Sequence, residues 1–146
     1  MSAPELFNET RRLFHLLKRW AETLHSELDL SIAMRGVLEL LLIEGPGTVP
    51  QMARARGVSR QHVQQQVDAL LERGFVERQD NPAHKRSSLI VLSDKGRALI
   101  QTMRSDELRA LARLQPGVSD QAIADAVQVL ASWRTVLQQD ADRRTS

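Results

Sequence analysis

The sequence predicts a mostly α-helical fold with one small β-hairpin: a helix-turn-helix followed by a hairpin wing, set between N- and C-terminal dimerisation helices. Three observations lead there. Apolar residues recur at three- and four-residue steps through long stretches, the period of an amphipathic helix. Two short helical segments meet across Gly57-Val58-Ser59, a turn of three residues. Two β-prone runs, Phe75-Val76-Glu77-Arg78 and Ser88-Leu89-Ile90-Val91-Leu92, flank the basic loop 79-QDNPAHKRS-87.

Residues 5–28 read as the first helix, with Leu6, Leu13, Leu16, Leu17, Trp20, Leu24 and Leu28 on one stripe. Ser31 can cap a second helix through Ile43, which 45-GPG-47 ends because proline cannot continue the hydrogen-bond ladder. Two helices follow, Val49 to Arg56 and Arg60 to Arg73. Ala53 is small where they cross, Gly57 permits a left-handed turn, Val58 is expected to plug the corner, and Ser59 can cap the next helix. Val63, Val67, Leu70 and Leu71 form its buried stripe. After the hairpin, Ser93 can cap a helix from Asp94 to about Leu114, and Pro116-Gly117 breaks it. Ser119 then caps a final helix to about Gln139, with an apolar seam of Ile123, Val127, Leu130, Trp133 and Leu137 and a frayed tail, 140–146.

At 146 residues and 42% hydrophobic, the chain suits one domain, or one compact domain whose extra helices need a partner. The longest apolar run, Val37 to Ile43, is interrupted by Glu39, and residues 1–30 lack the unbroken apolar core of a signal peptide or spanning helix, so a cytoplasmic location with no membrane partner is expected. Cysteine is absent, which excludes disulfides and thiolate catalysis, and His15, His25, His62 and His84 have no tight metal-ligand spacing. No catalytic residue, metal or cofactor is expected, because tyrosine is also absent and no histidine stands at an ordered catalytic spacing from an acid. The formal charge is only +2, but seven Lys/Arg face four Asp/Glu between Gly47 and Leu92, concentrating a net +3 there.

The stretch 57-GVSRQHVQQQV-67 joins that charge to a face of amides. At 100° per residue, Gln61, Gln65, Asp68 and Glu72 lie opposite the buried stripe, with Gln64 on its flank and Arg60 in the first turn. Glutamine can pair with adenine N6 and N7 in the major groove, and arginine with guanine O6 and N7. Ser59, Arg60, Gln61, Gln64 and Gln65 are therefore the expected DNA-contacting set of a recognition helix. A wet surface helix also uses glutamine, so a lone one would decide little. Asp68 and Glu72 would repel phosphate and should mark the interface edge or pair with arginines. Arg54, Arg56 and Arg73 are either a solvated rim or, for the first two, phosphate contacts.

With this helix-turn-helix, the basic hairpin and then Leu92-Ser93-Asp94-Lys95-Gly96, nearly the whole chain resembles the MarR family of winged-helix transcription regulators. The distinctive pieces are 53-ARARGVSRQHVQQQVDALLERGFVER-78 and 82-PAHKRSSLIVLSDKG-96, where the family commonly has an acidic-Pro-x-Asp-Arg-Arg wing and Leu-Thr-x-x-Gly. Asn81 and His84 stand where aspartates are usual, which removes the brace of the wing arginine, Arg86. The resemblance implies that Arg86, with Lys85 and Ser87, contacts DNA from the wing. It implies a dimerisation region of residues 1–30 and 115–146, a DNA-binding winged helix-turn-helix of 31–97, and a connecting helix of 98–114. A homodimer would meet a near-palindromic double-stranded operator with half-sites about one helical turn (~34 Å) apart, as a repressor. A small aromatic or anionic effector is expected between the dimerisation helices and the winged helix, where Trp20 and Arg35, with Phe14 and Met34, are candidate lining residues. The alternative use of such a fold is a protein-interaction module whose basic wing meets an acidic partner.

Overall fold

The computed structural model describes residues 2–114 and 116–145. The chain runs from α1 (Ala3–Leu24) through a 3₁₀ turn (Ser26–Leu28) to α2 (Ile32–Glu44), α3 (Val49–Arg56) and α4 (Arg60–Glu72). The hairpin β1 (Val76–Gln79) and β2 (Leu89–Leu92) follows, then α5 (Asp94–Ala112) and α6 (Asp120–Thr145).

Three of these helices open by the same device. Ser31 Oγ accepts from the Met34 amide at 3.1 Å, and Ser59 Oγ accepts from the His62 amide at 3.1 Å. Thr48 and Gln51 form a reciprocal box, each side chain accepting the other's backbone N–H at 3.3 and 3.0 Å. Each cap satisfies an amide that has no partner within its helix, a contribution of about 1 kcal/mol.

Between α3 and α4 the chain turns at Gly57, whose φ of +65° is left-handed. The Val58 amide closes the turn on the Ala53 carbonyl at 3.1 Å. Val58 does not plug the corner as expected: its side chain is 38% exposed, because the backbone bond already closes the turn and buried Ala53 leaves the helices in close contact.

The core lies within the winged unit. Val37, Leu38 and Leu41 of α2 pack with Met52 and Ala53 of α3, Val63, Val67 and Leu70 of α4, Val76 and Ile90 of the hairpin, and Ile100 and Met103 of α5. Complete burial of side chains such as Leu38 and Leu70 stabilises by roughly 1.5–3 kcal/mol each. Leu71, expected in the buried stripe, is only half-buried at its edge.

The strands are antiparallel, with Val76 opposite Leu92 and Gln79 opposite Leu89. Gly47, in the turn before α3, adds a bridge on the outer side of β2: its N–H donates to Ile90 O at 3.1 Å, and Ile90 N–H donates back at 2.8 Å. The wing base is thereby tied to the helix-turn-helix. Ser93 Oγ donates to Gly74 O at 2.6 Å and accepts from Gly96 N–H at 3.0 Å, fixing where α5 starts. Gly96 must be glycine here, since a Cβ would collide with the Phe75 carbonyl.

The chain divides into two compact units, Met1–Arg109 and Ala110–Ser146. In the second, Ser119 Oγ accepts from the Ala122 amide at 3.2 Å and opens α6. The expected end near Gln139 is wrong, for α6 continues to Thr145. Side chains four residues apart support the last turns: Gln138 Nε2 donates to Asp142 Oδ1 at 3.0 Å and Arg144 Nε to Asp140 Oδ2 at 2.7 Å.

Candidate nucleic-acid interface

The N-terminal half of α4, the start of α3 and the base of the wing enclose an open groove of about 470 Å³. Arg60, Gln61 and Gln64 line it from α4, Arg78 from β1, and Arg86 and Ser87 from the wing. Among the described residues its lining has three arginines and no carboxylate. Arg60 and Arg86 make no ion pair among the described residues, so both guanidinium charges remain available to an anion. A basic concavity beside a glutamine-bearing helix is suited chemically to phosphate and base edges together.

The predicted residues divide within this frame. Ser59 is exposed, with its hydroxyl oxygen already used as the α4 cap, so its O–H remains as a donor. Gln65 is exposed on α4, and Lys85 is exposed on the wing, but neither lines the groove. Asn81 Oδ1 accepts from the Ala83 amide at 3.2 Å, and His84 O accepts from the Ser87 amide at 3.3 Å, so local turns shape the wing loop.

Arg78 was not foreseen in this role. The strand pairing sets it opposite Ile90, and both line the groove. Its guanidinium stands 3.6 Å from Asp68 Oδ1, which gives Asp68 the arginine partner expected of it. Asp68 also accepts from Gln64 Nε2 at 2.8 Å, while Gln66 accepts from the Ser31 hydroxyl at 3.4 Å. Gln61 and Gln65 have no side-chain hydrogen bond among the described residues.

Two arginines of the supposed rim serve the fold instead. Arg56 Nη1 donates to Ala33 O at 3.0 Å, and its guanidinium fills the space that a side chain at Gly36 would occupy. Burial lowers the Arg56 pKa from its ordinary value by penalising the charged form. Arg73 donates to Asp29 O at 2.5 Å and Leu28 O at 3.2 Å, and lies 5.1 Å from the Phe75 ring centre. Neither is a solvated rim residue.

A second cavity, of about 290 Å³, opens beside the end of α1 and the start of α2, with His25, Arg35 and Met103 in its wall. Arg35 lines it, whereas Trp20, half-buried on α1, does not. Met34 belongs to the core and Phe14 is 62% exposed, so the four effector candidates are not gathered here. The Arg35 charge is already engaged. Glu107 forms an ion pair with its guanidinium, Nη2 donating at 2.5 Å, and the other carboxylate oxygen lies 3.0 Å from His25 Nε2. Glu107 and His25 carried no readable signal, being 82 positions apart in sequence. Among the described residues no group of three or more His, Cys, Asp or Glu could hold a metal, and no helix is long and apolar enough to cross a membrane.

Residues 28–87 match the model of the MarR family. Uncharacterized proteins of Mycobacterium tuberculosis (strain ATCC 25618 / H37Rv) and Mycobacterium bovis (strain ATCC BAA-935 / AF2122/97) are each 38% identical over 76 residues, which is 52% of this chain and 53% of theirs. The alignment thus spans about half the length of these curated relatives. Among solved structures, a MarR family transcription regulator is 25% identical, with a TM-score of 0.80 over 94% of this chain and 91% of the other. Staphylococcus aureus MarR in complex with salicylate and kanamycin is 16% identical, with a TM-score of 0.82 over 94% and 93%. MarR from E. coli in its apo form is 24% identical, with a TM-score of 0.69 over 83% and 93%; these last two are likenesses of fold. The matched segment includes the whole helix-turn-helix and the wing up to Ser87; over it the chain is similar to the MarR family, and along the rest it shares the winged helix-turn-helix fold of MarR family structures.

Proposed function

We propose that the protein is a cytoplasmic, homodimeric, sequence-specific DNA-binding transcription regulator, acting as a repressor that a small molecule releases. The observation that carries this reading is the groove in which Arg60, Arg78 and Arg86 surround the amides of Gln61 and Gln64. In this reading α4 enters the major groove with Ser59, Arg60, Gln61, Gln64 and Gln65, while Lys85, Arg86 and Ser87 meet the backbone and minor groove. Exposed apolar residues support the dimer: Leu13, Phe14, Leu16 and Leu17 on α1, and Ile123, Val127, Leu130 and Leu137 on α6. Two-fold symmetry then requires a near-palindromic operator.

Release by an aromatic or anionic compound draws support from the cavity at Arg35 and from the relative bound to salicylate and kanamycin. An anionic effector would have to exchange with Glu107 for the guanidinium, so operator affinity should fall when a phenolic acid is added. An unchanged affinity across a series of such acids rejects that effector class.

The primary test is binding to a fluorescent duplex from the chain's own upstream region and to a scrambled duplex, over a salt series. A preference of about 10³ or more with steep salt dependence is the expected result. If selection from a random duplex pool also yields no preferred site, the fold serves as a protein-interaction module instead.

A further inference from the structure

The three glutamines offered to DNA are not chemically equivalent. Gln64 Nε2 donates to Asp68 Oδ1 at 2.8 Å, one turn further along α4. A carboxylate only accepts, so this contact fixes which end of the amide faces Asp68. The same oxygen of Asp68 lies 3.6 Å from the Arg78 guanidinium on β1, which draws the carboxylate toward the wing. Asp68 itself is exposed, and Gln64 is half-buried in the groove wall. The Gln64 carbonyl oxygen and the second N–H of its amide are left without a protein partner among the described residues. Gln61 and Gln65, with no such bond among the described residues, can turn either end toward a ligand.

We infer that Asp68 is a specificity-determining positioning residue, which orients Gln64 so that it reads a base through an exocyclic amine. In the major groove the only amines are adenine N6 and cytosine N4; guanine and thymine present acceptors at the corresponding edge. Gln64 therefore favours adenine, whose N6 and N7 can meet its carbonyl oxygen and remaining N–H together, or cytosine through N4, whereas Gln61 and Gln65 have no preset polarity. Arg78 completes the device. It neutralises Asp68, whose charge would otherwise oppose the approach of phosphate. This inference rests on the proposed reading of α4 as a DNA reader.

The test begins with selection from a random duplex pool, using the full-length protein and the variant Gln64→Met, which keeps side-chain length and removes the amide. One position in each half-site should lose its preference in the variant. Base analogues at that position then separate the two ends of the amide. Replacing adenine by purine, or cytosine by pyrimidin-2-one, removes the amine and should weaken the wild-type protein by about two- to tenfold, the range of one hydrogen bond. It should leave Gln64→Met indifferent. In Asp68→Asn the neighbour can donate as well as accept, so Gln64 can reverse and the penalty for losing the amine should shrink, with thermal unfolding checking that the fold is kept. The inference is overturned if the wild type tolerates loss of the amine, or if Asp68→Asn leaves the analogue profile unchanged. A selection that enriches no site in the wild type overturns the DNA-reader reading, and this inference with it.

Discussion

Two helices of similar apolar content have opposite fates in this chain. In α4, thirteen residues long, Val63, Val67 and Leu70 are buried against α2, α3 and the hairpin. In α6, twenty-six residues long, no residue is buried, and Ile123, Val127, Leu130 and Leu137 are 41–60% exposed. The first helix is short and would be marginal alone, so its stability comes from packing. The second has the length to persist as a helix but displays its seam. Helical periodicity marks both, which teaches that the pattern reveals an apolar face and not the surface that covers it.

The sharpest way to break this contrast is to shorten one side chain on each helix. Leu70→Ala should lower stability by about 2–5 kcal/mol through lost burial and a residual cavity, seen as a lower urea midpoint. Leu130→Ala should move that midpoint far less at protein concentrations where the chain is monomeric; equal shifts would show that α6 shares the same core. Next in size is Gly96→Ala, which pushes a methyl group into the Phe75 carbonyl and should cost roughly 1–3 kcal/mol by the same measurement. Charging the α6 seam with Val127→Asp and Leu130→Asp should raise a dimer dissociation constant by at least ~10-fold, read by sedimentation, with the winged unit still folded. The smallest pair separates the two sides of the groove. Gln65→Ala should cost about 1–3 kcal/mol on the preferred site and little on random DNA, whereas Arg86→Ala should weaken both and reduce the salt slope by about one.

Most of the architecture could be read from the sequence because its signals are local. The caps at Ser31, Ser59 and Ser93 and the left-handed turn at Gly57 depend on neighbours within a few residues, and each is present. Arg60, Gln61 and Gln64 were likewise accessible from helical phase. What escaped depends on strand register or distant contact. Arg78 joins the groove only through its pairing with Ile90, and Arg56 leaves the rim only because Gly36 makes room for it. Val58 differs for a local reason: a backbone bond to Ala53 does the work expected of its side chain. The polar residues at 140–145 have the composition of a frayed tail, but their spacing supports helical pairs that carry α6 to Thr145.

The bridge between Gly47 and Ile90 also bears on aggregation. Leu89-Ile90-Val91-Leu92 is the most apolar extended segment of the chain, and a hairpin of two strands has two edges at which a foreign strand could pair. On the side of β2, Gly47 already occupies both hydrogen-bonding groups of Ile90. On the side of β1, the outer edge carries exposed Glu77 and Arg78. One edge is closed by backbone and the other guarded by charge, so the wing can project toward a ligand without offering its apolar strand to a second copy of itself.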